Sequence, residues 1–231
     1  MSPVPLESVI DALERFYGPL PQPPDDPFGV FVWEVLGVQN TPARRDAAMA
    51  ALRRVPALTP DALGRLPQAK LEAVLALAGP LREERHHALR TGVELFRRDP
   101  ELAVMLRGPL RRAARAVGRL PRIGTAAAHR LLLFGGHHPI PAADEAASRV
   151  LARLDPVGRP AAQPVRAARR AIRAAAGRDR AALVRAALYL SHHGRSTCIT
   201  VAPHCTVCPV HEQCPSRNPK PQAPSPKPPE A

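Results

Sequence analysis

The chain has 231 residues, enough for one or two hydrophobic cores and too few for a larger assembly of domains. Hydrophobic residues make up 45% of it but aromatic ones only 3%, so Ala, Leu and Val must do the packing, which suits interlocked helices and excludes an all-β fold. The net charge of +13 rests almost wholly on Arg, since Lys occurs only at Lys70, Lys220 and Lys227; such a chain seeks an anionic partner, with nucleic acid the first candidate.

The predicted elements are helical throughout. Leu6, Val9, Ile10, Leu13, Phe16 and Tyr17 recur at helical spacing and predict an opening amphipathic helix closed by Gly18. Asp26-Pro27, Thr41-Pro42 and Thr59-Pro60 each join a capping side chain to a proline suited to the first helical position, so helices should start near 27, 42 and 60. The first of these, FGVFVWEVLGV, is apolar nearly all round and reads as a central buried helix. Further helices are predicted at 68–78, 84–98, 101–106, 110–118, 124–134, 144–154, 164–176 and 179–193, and strand signals are nearly absent, so the fold class is all-α. Loops are expected at 135–141 and 156–164, and a disordered proline-rich tail at 216–231. No apolar run approaches the ~20 residues of a membrane span, and MSPVPLESVI has neither the basic start nor the apolar stretch of a signal peptide. No membrane partner is expected, and the expected location is cytoplasmic.

Cys198, Cys205, Cys208 and Cys214 follow a C-x6-C-x2-C-x5-C spacing stiffened by Pro203, Pro209 and Pro215. Four thiolates on so short a loop can converge on zinc or on a cubane iron-sulfur cluster, and the spacing leaves both open. Upstream, Leu120-Pro121-Arg122-Ile123-Gly124-Thr125-Ala126-Ala127-Ala128 reads as a helix end, a tight turn and a new helix, whose backbone amides make a seat for a phosphate. Twenty residues beyond Gly124, Asp144 stands at the start of DEAASRVLARL, where on its own it would be an ordinary helix cap.

Together these features resemble the endonuclease III branch of the helix-hairpin-helix DNA glycosylases. That family carries an LPGVG-type hairpin, an aspartate about twenty residues later, and an HGR-x-x-C segment opening a [4Fe-4S] site. Here LPRIG stands at 120–124, ADEA at 143–146 and HGRSTC at 193–198, ahead of the same cysteine spacing, while VLGVQNT at 35–41 matches the family's LLSAQ-x-T stretch. The resemblance implies two helical lobes flanking a DNA cleft. One is a six-helix barrel with the hairpin over 20–130; the other is a cluster lobe of 1–19 and 131–215. It further implies a [4Fe-4S] cluster on Cys198, Cys205, Cys208 and Cys214, a catalytic Asp144, and a nucleotide flipped out of damaged duplex DNA by a monomer associated with the nucleoid. Gln39 should enter the gap in the duplex, Leu81 is a candidate wedge or else a core leucine, and Arg122, Ile123, Gly124, Thr125 and Ala126 form the hairpin's DNA contact.

The departures are chemical. Bifunctional members attack the sugar with a lysine two residues after the second hairpin glycine; that position is Ala126 here, so the lyase step is removed. Arg122 replaces the first hairpin glycine, where a positive φ strains any side chain. The family's His two residues after the aspartate is Ala146, and the loop 199–204 lacks the usual basic residues. Arg111, Arg115 and Arg119 share a helical face with no acidic residues nearby, and Arg115 and Arg119 are candidate phosphate contacts; Arg166, Arg169, Arg170 and Arg173 form a second stripe expected to be a solvated face. His86, His87, His192 and His193 are expected as surface or packing residues. The expected function is a monofunctional DNA glycosylase. Its rivals are a catalytically silent DNA-binding or damage-recognition protein with the same fold and cluster, and a zinc-bound basic helical protein.

Overall fold

The computed structural model describes residues 5–54, 58–155 and 161–217. Most of the expected loop at 156–164 and all but two residues of the expected tail lie outside the described residues. The described residues form twelve α-helices and two short 3-10 turns, with no strand among them. In chain order the helices are α1 (Leu6–Tyr17), α2 (Pro27–Gly37), α3 (Pro42–Arg53), α4 (Pro60–Gly64), α5 (Gln68–Leu77), α6 (Arg82–Arg98), α7 (Glu101–Arg107), α8 (Leu110–Val117), α9 (Thr125–Phe134), α10 (Glu145–Leu154), α11 (Pro164–Ala176) and α12 (Arg180–Ser196).

Local chemistry sets the starts. Asp26 accepts from Gly29 N at 2.7 Å, Thr41 from Arg44 N at 3.3 Å and Thr59 from Ala62 N at 3.2 Å, each with proline in the first helical position behind it. Helix α6 begins two residues earlier than the periodicity predicts, because Glu83 and Glu84 complement the positive end of the helix dipole in its first turn. Helix α12 runs on to Ser196, past the expected end at 193.

The core has two centres. Helix α2 is buried from Pro27 to Leu36 and packs against α3, α6, α7 and α9, which is why its sequence is apolar all round. Helix α12 packs against α1, α10 and α11 and also touches α9. The α10–α12 crossing is tight: a Cβ added at Gly194 would lie 2.5 Å from the Ala146 carbonyl oxygen, so only glycine at 194 permits the approach. That approach brings one face of α12 onto the first residue before α10, which is Asp144.

Candidate active site

The turn at 118–124 lies between α8 and α9, as the sequence predicts. Arg122 holds φ at 57°, the left-handed conformation that the missing glycine would have adopted without cost. Gly124 is the N-cap of α9 and has no side chain to cap it; the first bond of the helix runs from Ala128 N to Gly124 O at 2.8 Å. The amides of Thr125, Ala126 and Ala127 therefore have no partner within the helix and border an open cleft of about 580 Å³. Gln39, Arg122, Gly124, Thr125, Ala126 and Asp144 all line that cleft. No lysine lines it among the described residues, and Lys70 is exposed on α5.

Asp144 caps α10 and is only 2% exposed. Its Oδ1 accepts from Ala147 N at 2.9 Å; its Oδ2 accepts from Ser191 Oγ at 2.7 Å, Arg195 Nη2 at 2.8 Å and, more distantly, Arg130 Nη1 at 3.4 Å. Burial alone would raise the Asp144 pKa, but the Arg130 and Arg195 cations and the Ala147 amide outweigh it and hold the carboxyl down to about 2. Arg130 in turn makes a bidentate pair with Glu34, both contacts at 2.7 Å. Two buried acids and two arginines, of which Arg195 reaches solvent, thus form one network joining α2, α9, α10 and α12. The expected cap and the expected functional carboxylate are the same group. Glu34, Arg130 and Ser191 are absent from the sequence reading; the signal for Glu34 was its position as the lone charge in an otherwise apolar helix, which requires a buried partner.

On the other side of the same network lies a narrower chamber of about 270 Å³, walled by Trp33, Leu20, Pro21 and Leu188 and sharing Glu34, Gly37, Arg130, Asp144 and Arg195 with the cleft. Arg45 stands over the Trp33 ring at 3.9 Å and bonds Asp46 at 2.9 Å, and His192 lines the same space. The chamber's arginines (Arg45, Arg130, Arg195) are matched in number by its acids (Glu34, Asp46, Asp144), so its wall is neutral overall.

Gln39 (φ 45°) and Leu81 (φ 64°) are both in left-handed conformations. Leu81 precedes α6 and does not line the cleft, yet its loop is joined to that of Gln39: Arg85, one turn into α6 and 2% exposed, bonds the Val38 carbonyl with its side chain. Ile123 packs against the hydrophobic core from the hairpin. Arg111 and Arg115 are exposed on α8, outside the cleft lining. Arg119 is not free of acidic neighbours as its sequence context suggested; it pairs with Asp99 at 2.7 Å, a residue twenty positions away that folding returns to it. The second stripe is not one solvated face either: Arg166 and Arg169 line the cleft, while Arg173 bonds the Gly177 and Pro139 carbonyls and only Arg170 and the far end remain outside. His193 is fully buried, hydrogen-bonded to the Tyr17 hydroxyl at 2.7 Å and facing the Cys208 sulfur at 3.6 Å; His87 is exposed.

The four cysteines line one small cavity with Val150 and Leu154 of α10, His193 of α12 and Thr197, which follows α12. Among the described residues no three His, Cys, Asp or Glu side chains are grouped so as to hold a single metal ion. Burial, and then the neighbouring thiols, push the Cys208 pKa up to about 11 and raise that of Cys214. Arg149 and Arg153 of α10, neither evident from the sequence, fasten the loop: Arg149 bonds Cys198 O at 3.1 Å, and Arg153 bonds Ile199 O at 2.8 Å, Thr200 O at 3.1 Å and the Cys198 sulfur at 3.2 Å.

No family model matches the sequence, and none of the curated proteins is similar to it. Solved structures are. An endonuclease III trapped in a covalent intermediate with DNA aligns at a TM-score of 0.69 and 17% identity, covering 94% of this chain and 97% of that one. The chain has the endonuclease III-like fold. A non-covalent endonuclease III–DNA complex matches equally well, at a TM-score of 0.69 and 17% identity over 94% of this chain and 96% of that one. A thermostable thymine-DNA glycosylase shares the fold at a TM-score of 0.65 and 14% identity, over 91% of this chain and 95% of that one. The endonuclease III-like fold therefore spans more than nine-tenths of the chain. No described helix is long and apolar enough to cross a membrane.

Proposed function

We propose that this protein is a monofunctional DNA N-glycosylase that removes a damaged base from duplex DNA. The observation that carries the reading is the placement of an ionised, buried Asp144 in the same cleft as the hairpin amides and Ala126, with no lysine in the lining. A carboxylate held near pKa 2 neither donates a proton nor accepts one readily at neutral pH, so its contribution is electrostatic. As the N-glycosidic bond breaks, the base leaves with the bonding electrons and the sugar gains positive charge at C1′, which the fixed anion stabilises. A water then adds at C1′ and loses its proton to solvent. Arg130 is neutralised by Glu34, and Arg195, a third exposed at its side chain, borders both the cleft and the chamber. A strand phosphate that drew Arg195 away would leave Asp144 with its full charge. The neutral chamber beside Asp144 suits an uncharged heterocycle better than a phosphate.

The same reading includes a barrel lobe over 20–130 and a second lobe of 1–19 and 131–215, supported by the two packing centres on α2 and α12. It also includes a [4Fe-4S] cluster on Cys198, Cys205, Cys208 and Cys214. The donor set fits: four thiols line one cavity, and burial raises the pKa of Cys208 and Cys214, so a cationic centre would favour their thiolate forms. Such a cluster would supply that positive charge and cross-link the loop; Arg149 and Arg153 hold the loop from the protein side.

The test is incubation with duplexes carrying single lesions. Some damaged base should be released, leaving an abasic site that breaks only after alkali, and borohydride should trap no covalent complex. Ala126→Lys should then introduce trapping. A wild-type protein that binds such duplexes tightly but releases no base across a broad panel overturns the catalytic reading in favour of a silent DNA-binding protein.

A further inference from the structure

Three arginines in the cleft have no role in the Asp144 network. Arg122 belongs to the hairpin; Arg166 and Arg169 belong to the first two turns of α11, on the wall that ends at Gln163 and Pro164. Within the lining Arg130 is matched by Glu34 and Arg195 by Asp144, so Glu145 alone opposes these three, and the cleft carries two excess positive charges where the adjoining chamber carries none. Among the described residues, Arg166 makes one long side-chain bond, to Gln163 at 3.3 Å. Arg169 is partly buried, and its Nη1 is shielded from solvent with no hydrogen-bond partner among the described residues.

Nothing in the fold itself rewards this arrangement. Two like charges three residues apart on a helix repel, and a half-buried guanidinium without an acceptor costs free energy. Burial and the Arg166 charge both disfavour the Arg169 cation. Arg173, one turn further on, shows the structural alternative, because both its amino groups are taken up by backbone carbonyls. The start of α11 adds to the field: Pro164 occupies the first position, no side chain caps the helix, and its free amides lie at the same cleft.

We propose that Arg166 and Arg169 form a second phosphate-binding site for the DNA backbone, facing the hairpin site across the cleft, so that one strand is gripped on both sides of Asp144. The proposal rests on the DNA-binding reading above and extends it to residues that the hairpin motif does not include.

The experiment is a salt titration of binding to a short undamaged duplex, read by fluorescence anisotropy, with no catalysis involved. The double variant Arg166→Ala/Arg169→Ala should bind about 10- to 100-fold more weakly at fixed salt and reduce the slope of log K against log salt by about 1 to 2. Arg170→Ala, on the same helix but outside the cleft, should change neither quantity. Arg166→Lys/Arg169→Lys should keep the wild-type slope, which separates loss of charge from loss of fold. Wild-type affinity and slope in the Ala double variant overturn this second site alone; a wild-type chain that binds no duplex at low salt overturns the DNA-binding reading with it.

Discussion

The two ends of helix α10 border two chemically opposite sites, a carboxylate held by cations and a set of four thiols. At its start, the Asp144 carboxylate receives donors from Ala147, Ser191, Arg195 and Arg130, so the protein satisfies a buried anion entirely from its own chain. Towards its end, Arg149 and Arg153 satisfy the carbonyls of the cysteine loop, while burial and the neighbouring thiols raise the pKa of Cys208 and Cys214. A site finished by the protein tolerates the absence of any ligand. On the cluster reading proposed above, the thiol end would tie the fold to its ligand.

The contrast is most directly broken at the thiol end. Cys208→Ser should yield protein without bound iron or brown colour, poorly soluble and with a Tm lower by about 10 °C or more, since the loop then lacks its cross-link. Iron content, absorbance and a thermal melt check it, and stoichiometric zinc in well-folded, colourless wild-type protein would falsify the cluster.

At the other end the effect on stability is of similar size and a loss of chemistry is added to it. Asp144→Asn removes one partner of a buried ion network and should cost ~3–5 kcal/mol of stability by denaturant unfolding, together with ~10²- to 10³-fold in the rate of base release. DNA affinity should change little. The acid limb sharpens the same point. Because the folded pKa is depressed from 3.8 to about 2, the carboxylate's contribution of about 2 kcal/mol is complete above about pH 4 and is lost as the pH falls towards 2. Stability between pH 4 and 2 should therefore decline less steeply in the Asn variant; parallel curves would remove the charge network as the cause.

The smallest expected effect concerns the hairpin, which belongs to neither end. Arg122→Gly should relieve the left-handed strain and raise stability by about 1 kcal/mol, while weakening duplex binding several-fold by removing a cleft cation. The two readouts move in opposite directions, and a loss in both would mean that Arg122 is not strained.

Much of this architecture is written locally. Asp26, Thr41 and Thr59, each before a proline, announce three helix starts because capping depends on residues within one turn. The same holds for the hairpin and for Asp144, whose helix follows directly. The charge network is a different matter. Glu34 and Arg130 are separated by 96 positions and Arg195 by 51 from Asp144, so no local pattern joins them, and only the folded α2–α9 and α10–α12 contacts do. Arg166 and Arg169 look like any solvated stripe until α11 is laid against the cleft, and Arg119 looks unpaired until Asp99 returns to it.

Arg85 carries a further consequence. Its side chain, buried beneath α6, bridges to the Val38 carbonyl, while its own amide closes on the Leu81 carbonyl at 3.0 Å. The loops bearing Gln39 and Leu81 are thus a single mechanical unit, and neither left-handed residue can relax without disturbing the other. Their strain is loaded when the chain folds. On the DNA-binding reading proposed above, a duplex arriving at this edge would meet two loops already fixed to one another, so ordering them would draw less on the energy of the encounter than two independent, pliant loops would require.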